Sequence, residues 1–325
     1  MSRTSGEFEL IARYFAGAAR NDAVELGIGD DCALIDAGPG RQWAVTTDML
    51  VEGVHFLSEV APEALGHKAL AVNLSDLAAC GAQPRCYFLA IALPSVDETW
   101  LSDFTRGMLA LGDHFGCSLA GGDTTRSREG VTISITALGE VPRGRALLRS
   151  GARAGDDLWV SGHLGDGALG LALLRDGVVL PPAERSAVIE RLERPVPRVA
   201  LGIALRGVAR SAIDVSDGLA GDLGHILERS GVGARVEWRE VPMSSALRRM
   251  PPDLQRRCVL AGGDDYELLF TADPAMRDGV LDAGRAAELA VTRIGNIVAE
   301  GGLTLIEEDG RRVDIEPRAF DHFRP

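Results

Sequence analysis

Ala212-Ile213-Asp214-Val215-Ser216-Asp217-Gly218-Leu219 carries the reading of the fold. The apolar run through Val215 reads as a buried strand that delivers Asp214. The next residues allow a tight turn. Leu219, Leu223, Ile226 and Leu227 then recur at helical spacing toward Ser230, with Ser216 or Asp217 as N-cap. Strand, turn and helix in succession is the unit of α/β architecture. The same string concentrates chemistry. A helix start offers free N–H groups to an anion, and Asp214 with Asp217 offers oxygens to a cation. A metal–nucleotide phosphate complex requires both. Capping alone would explain Asp217 but not Asp214.

Outward from this string, acidic residues recur beside Gly, Ser or Thr. They stand in Gly29-Asp30-Asp31, Thr46-Thr47-Asp48, Ser75-Asp76, Gly121-Gly122-Asp123-Thr124-Thr125 and Gly262-Gly263-Asp264-Asp265. Any one of them reads equally well as a turn. Adjacent carboxylates repel, so a shared cation is one physical reason to keep them together. Magnesium, which takes oxygen ligands and phosphate, suits such a set. The arginines at 143, 145, 149 and 153 could offer fixed charge to phosphate oxygens.

Periodicity predicts helices over 7–20, 63–80, 97–116, 165–175, 183–193, 197–209 and 217–230. It predicts strands over 43–47, 86–93, 131–141, 157–162, 212–215, 236–238 and 268–271. The strand 43–47 would present Asp48 at its end. In helix 63–80, Leu70, Leu74 and Leu77 turn inward while Asn73 and Asp76 share another face. Ala120-Gly121-Gly122-Asp123 recurs as Ala261-Gly262-Gly263-Asp264, each beside a strand-like run. That echo points to two similar α/β halves, with a boundary in the arginine-rich stretch 143–153.

Composition narrows the function. The chain has 325 residues, 46% hydrophobic and 25% charged, enough for about two domains. A net charge of -13 argues against nucleic acid or an anionic membrane as partner. It also means that a phosphate site here needs cations from solution. No apolar run approaches a membrane span, and the first residues lack the apolar stretch of a signal peptide. Five cysteines without a CxxC or zinc spacing point to reduced thiols and a cytoplasmic location. Lys68 is the single lysine among 34 basic residues. No GxxxxGK[ST] loop, HExxH or GxSxG is present, so P-loop, zincin and serine-hydrolase chemistry lack their motifs, and Gly27-Ile28-Gly29 runs into Asp30-Asp31-Cys32 where a Rossmann fingerprint needs a glycine.

Nine strings together resemble the thiamine-monophosphate kinase family, in order and spacing from residue 6 to the C-terminus. They are Gly6-Glu7-Phe8, 29–33 (GDDCA), 46–56 (TTDMLVEGVHF), 73–79 (NLSDLAA) with 121–124 (GGDT), 148–152 (LRSGA), 214–219 (DVSDGL), 265–271 (DYELLFT) and Asp321-His322-Phe323. The resemblance implies a PurM-like fold of the α/β (α+β) class, two α/β domains with mixed sheets flanked by helices, over 1–142 and 143–325, paired as a homodimer through the N-terminal sheets. It implies transfer of the ATP γ-phosphoryl group to thiamine monophosphate, with several Mg2+ ions. Matching positions would make Asp30, Thr46, Thr47, Asp48, Asp76, Asp214 and Asp217 metal ligands. Gly122, Asp123, Arg149 and Ser216 would contact ATP. His55, Glu267 and Phe320 would contact substrate, with Asp265 close enough to share the role of Glu267. The chain departs from the family at Cys80 (often Met), Phe115 (often Tyr) and Phe320 (often Trp).

The attacking group in that reaction is a phosphate, already anionic, so no acid or base residue is needed. Two other readings fit the carboxylates: another PurM-like ATP-using enzyme, of the aminoimidazole ribonucleotide synthetase or selenophosphate synthetase type, and a non-catalytic divalent-cation-binding protein.

Overall fold

The computed structural model describes residues 24–316 together with Ile11. The predicted helix 7–20, Phe320 and the motifs at 6–8 and 321–323 lie outside the described residues. The first half contains β1 (Val24–Leu26), β2 (Ala33–Asp36), β3 (Arg41–Val51), α1 (Pro62–Ala79), β4 (Gln83–Leu93), α2 (Glu98–Phe115), β5 (Ser118–Arg126) and β6 (Thr132–Pro142). These strands form one six-stranded sheet in the order β1-β2-β3-β6-β4-β5. It is mixed: β3 and β4 pair antiparallel with β6, while β4 and β5 run parallel. Helix α1 is buried along nearly its whole length, and Leu70, Leu74 and Leu77 join Phe104 and Met108 of α2 in the core beneath the sheet.

The second half contains β7 (Asp157–Ser161), α3 (Asp166–Arg175), α4 (Pro182–Glu193), α5 (Val199–Ala204), β8 (Ser211–Asp214), α6 (Leu219–Ser230) and β9 (Gly233–Glu237). Then come α7 (Ser245–Arg248), α8 (Pro252–Arg256) with a π turn at Arg257–Ala261, β10 (Leu268–Ala272), α9 (Arg277–Ala286), β11 (Val291–Val298), β12 (Gly302–Ile306) and β13 (Arg312–Ile315). Its seven-stranded sheet runs β13-β12-β9-β11-β7-β10-β8 and is also mixed. Strands β7, β8 and β10 are buried on both faces, which explains their continuous apolar runs. Helix α1 reaches across to this half: a Cβ on Gly202 of α5 would lie 2.0 Å from the Ala78 carbonyl oxygen.

Several local expectations are corrected. Asp48 lies inside β3, which extends to Val51. Helix α6 begins at Leu219 with Gly218 as its cap residue and no side-chain cap bond, so neither Ser216 nor Asp217 caps it. The helix expected over 197–209 is regular only from Val199 to Ala204. Trp238 belongs to a 3-10 turn after β9. The two AGGD strings adopt different structures. The first lies within edge strand β5, and the second leads from the π turn into a loop. Gly122 is needed for strand pairing, since a Cβ there would sit 1.8 Å from the Leu89 carbonyl oxygen.

Candidate active site

The loop before β2, the strand β3, the helix α1 and the end of β8 converge on a carboxylate cluster. Oxygens of Asp31, Asp76 and Asp214 all lie within 4.8 Å of one another. Asp31 and Asp214 are buried and Asp76 partly so. Thr46 Oγ1 donates to Asp76, Asn73 Oδ1 accepts from the Asp48 amide at 3.2 Å, and Ser75 Oγ donates to Asp214 Oδ2 at 2.6 Å. The shared face expected for Asn73 and Asp76 is therefore the face that meets the other carboxylates.

This crowding appears in the acidities. Burial pushes the Asp214 carboxyl up to about 8, with the Asp31 charge adding to it. Asp48 is raised to about 6 by burial and hydrogen-bonds Asp76, which burial and the charges of Asp48 and Asp214 push well up. Asp30 is also raised to about 6, by burial and then by Asp31. Several carboxyls raised together by burial and mutual repulsion mark a candidate functional site.

Asp31, assigned no role by its sequence, is a member of the cluster, whereas its neighbour Asp30 lies outside that close group. Asp30 Oδ1 accepts the Arg149 amide at 3.0 Å, while Asp31 Oδ1 accepts the Arg149 guanidinium at 2.8 Å. Asp31 Oδ2 and Arg149 Nε are buried with no hydrogen-bond partner. Arg149 is thus a counter-charge to the cluster in this structure. The alternation of β3 separates Thr46 from Thr47. Thr46 is buried toward α1, whereas Thr47 is exposed on the outer face, 2.9 Å from Thr136 Oγ1. The Thr47 hydroxyl therefore does not face the carboxylate cluster.

Asp217 is partly buried in the loop before α6. Its amide donates to Asp222 Oδ2 at 3.1 Å. Asp222 is a second residue missed in the sequence: it is buried, and burial with the charges of Asp217 and Asp214 pushes its carboxyl well up. Ser216 lies beside them, its carbonyl oxygen accepting the Asp264 amide at 2.9 Å. Gly263 must be glycine here, since a Cβ would lie 1.8 Å from that same oxygen.

Gly122 and Asp123 are exposed on β5. That strand is three places from β3 in the sheet, roughly 14 Å at the usual strand spacing. One chain alone does not bring Asp123 beside Asp48. His55 lies in the turn after β3, its Nδ1 accepting the Val51 amide at 3.0 Å, and lines a cavity of about 50 Å³ with Phe56, Lys68, Leu171, Glu193 and Asp264. The two other substrate-side carboxylates are spent internally. Glu267 is fully buried, accepting from Ser161 Oγ at 2.6 Å and pairing with Arg191 at 2.7 Å and with Arg198. Asp265 accepts the amides of Gly165 at 2.6 Å and Gly167 at 3.1 Å. Neither carboxylate is open to a substrate in this arrangement.

Two mixed-sheet halves with carboxylates meeting between them define a class of protein. Residues 29–141 match the N-terminal domain of AIR synthase related proteins and residues 153–308 match the C-terminal domain, so the chain has the PurM-like two-domain fold. Within that class the likeness is closer still. The chain is 47% identical to thiamine-monophosphate kinase of Escherichia coli (strain K12) over 98% of both chains, and 35% identical to that of Bacillus subtilis (strain 168) over 98% of this chain and 99% of the other. The solved thiamine-monophosphate kinase of Stenotrophomonas maltophilia K279a is 46% identical, with a TM-score of 0.79 over 94% of this chain and 97% of that one. The structure of AaThiL complexed with AMPPCP and TMP is 32% identical, with a TM-score of 0.84 over 98% and 97%. The chain belongs to the thiamine-monophosphate kinase family.

Proposed function

We propose that this chain transfers the γ-phosphoryl group of ATP to thiamine monophosphate, giving thiamine diphosphate and ADP, by direct in-line transfer. The observation that carries the reading is the meeting of Asp31 and Asp76 from one half with Asp214 from the other. Oxygen-only donors suit magnesium better than zinc or copper. The buried, unpartnered Asp31 Oδ2 is an orphan that a cation would satisfy. Asp30, Asp31, Asp48, Asp76, Asp214 and Asp217 would hold Mg2+, with Thr46 orienting Asp76. Thr47 can offer the cluster only its backbone. Magnesium held there supplies charge neutralisation between two polyanions, which is the main barrier to this reaction.

The remaining residues divide the work of binding. Ser216 and the N–H groups of its turn face the nucleotide phosphates, and Arg149 adds a fixed guanidinium beside them. Gly122 and Asp123 contribute from the β5 edge. His55 and its cavity take the acceptor. No side chain need remove a proton, because the attacking phosphate already carries about -1.5 to -2 charge. We further propose a homodimer that covers the outer face of the first sheet, where Met49, Phe88 and Leu119 are exposed. The five cysteines are free thiols, in keeping with a cytoplasmic location. Among the described residues no helix is long and apolar enough to cross a membrane.

The test is turnover by purified protein with Mg2+, ATP and either thiamine monophosphate or unphosphorylated thiamine. Thiamine diphosphate from the monophosphate alone is expected. Failure to convert the monophosphate would overturn the reading, and a kinetically competent phosphoprotein would overturn direct transfer.

A further inference from the structure

We propose that Lys68 is a positioning residue for the loop Val215–Asp217, acting through Asp264; the proposal rests on the reading of that loop as the metal and nucleotide side of the site. The chain writes its basic residues as arginine everywhere except here, since Lys68 is the single lysine among 34. That lysine is 4% exposed. Its Nζ lies 2.7 Å from Asp264 Oδ1. The pair joins the two halves: Lys68 sits on α1, and Asp264 lies in the segment that leads into β10.

Asp264 transmits this contact to the loop. Its amide donates to the Ser216 carbonyl at 2.9 Å, and the Tyr266 amide donates to the Val215 carbonyl at 2.8 Å. Asp264 and Tyr266 both adopt left-handed backbone, with φ 66° and 51°. That conformation is uncommon for a side chain as bulky as tyrosine and needs surroundings that hold it. Tyr266 Oη donates to Asp264 Oδ1 at 3.2 Å, so the carboxylate is fixed from two sides.

Lys68 and Ser75 are seven residues apart, two turns of α1, and so share one face. Ser75 Oγ holds Asp214 Oδ2 at 2.6 Å. Helix α1 therefore grips the loop at two points: directly at Asp214, and through Lys68 and Asp264 at Ser216. The same helix carries Asp76. Lys68 thus ties the spacing of carboxylates on one half to the loop of the other. A compact ammonium suits one close carboxylate oxygen, here Asp264 Oδ1, with Glu193 lining the same cavity, where a planar guanidinium would seek a fork of acceptors.

The test uses Lys68→Met, Asp264→Asn and the double variant of the full chain. Amide hydrogen exchange at 215–218 is measured without metal or substrate. Half-saturation by Mg2+–ATP is measured separately, by thermal shift and in turnover. Each single variant is expected to speed exchange at these amides and to raise half-saturation by Mg2+–ATP about tenfold. The double variant is expected to lose no more than Lys68→Met alone, because one linkage is broken once. Exchange and half-saturation within about twofold of the parent in a folded variant, or losses that add, would overturn the proposal. If Lys68→Met does not fold, Asp264→Asn gives the same readout from the more exposed end of the pair. The exchange measurement needs no acceptor, so it stands or falls independently of which acceptor is phosphorylated.

Discussion

Asp31 adds its charge to Asp30, Asp48, Asp76 and Asp214 alike, and raises the pKa of each. Removing it should relieve repulsion and remove a ligand together. Asp31→Asn is expected to weaken Mg2+ binding by roughly 10–100-fold, the range seen when even an outer partner of a metal site is lost. Calorimetric titration with Mg2+ checks this, and an unchanged affinity would exclude Asp31 from the ligand set. The cluster also fixes how stability depends on pH. Asp214 is raised to about 8, against about 3.9 for an unfolded aspartate. Between those values the folded state binds more protons than the unfolded one. Stability contributed by protonated Asp214 is therefore full at low pH and lost as pH rises toward 8. The metal-free protein is expected to melt at lower temperature at pH 8 than at pH 6, and Mg2+ should restore more at pH 8. Asp214→Asn, which keeps an acceptor for Ser75, should flatten both trends. A parent protein with no such trend would count against a carboxylate cluster held by burial.

Elements were legible where the sequence signal is local. The leucines of α1 and the apolar stripe of α2 step by three and four, and both helices lie within a residue or two of their expected bounds. The site was less legible because its contacts are not local. Ser75 meets Asp214 across 139 positions, and Arg149 distinguishes Asp31 from Asp30 across 118. No periodicity encodes either choice. The face of Thr47 was readable from strand alternation once β3 was known to run past Asp48. Edge strand β5 was hidden because Gly121 and Gly122 resemble a turn. The element around β10 carries a distinct prediction. Glu267 is sealed between β7, α4 and the segment before α5 by Ser161, Arg191 and Arg198. Glu267→Gln leaves those arginines facing a neutral partner, and should cost about 3–5 kcal/mol, as loss of one member of a buried ion pair does. Denaturant unfolding measures that loss. A substrate contact would instead raise KM for thiamine monophosphate with stability unchanged. One strand end away, Gly263→Ala would push the Ser216 carbonyl outward. It should cost about 1–3 kcal/mol by overpacking and weaken Mg2+–ATP binding more than acceptor binding, read by the two KM values.

At the scale of the whole molecule, the two halves solve an electrostatic problem together. A chain of net charge -13 must bring two phosphate-bearing substrates into contact, and on the proposed reading its converging carboxylates would do so by recruiting cations. Yet one chain leaves part of the expected nucleotide side far from that cluster, because β6 and β4 stand between β3 and β5. The outer face of the same sheet is unusually apolar for a surface. Met49 is 57% exposed and Phe88 43%, and they stand on neighbouring rows, since Met49 and Ala90 both pair with Ser134 while Phe88 pairs with Thr136. Leu119 extends the patch onto the β5 edge, which offers unpaired backbone groups as well. Contiguous exposed apolar surface of this kind marks an interface. A second copy seated there would cover the patch and the edge at once, and would place another β5 near the first sheet. The native protein is therefore expected to sediment at twice the 34.4 kDa chain mass. Phe88→Glu combined with Met49→Glu should bury like charges against each other across the two-fold axis and yield a folded monomer. If that monomer also loses Mg2+–ATP binding while the carboxylate cluster is untouched, the site needs the dimer. A native protein that sediments as a single chain with full activity would refute the dimer outright.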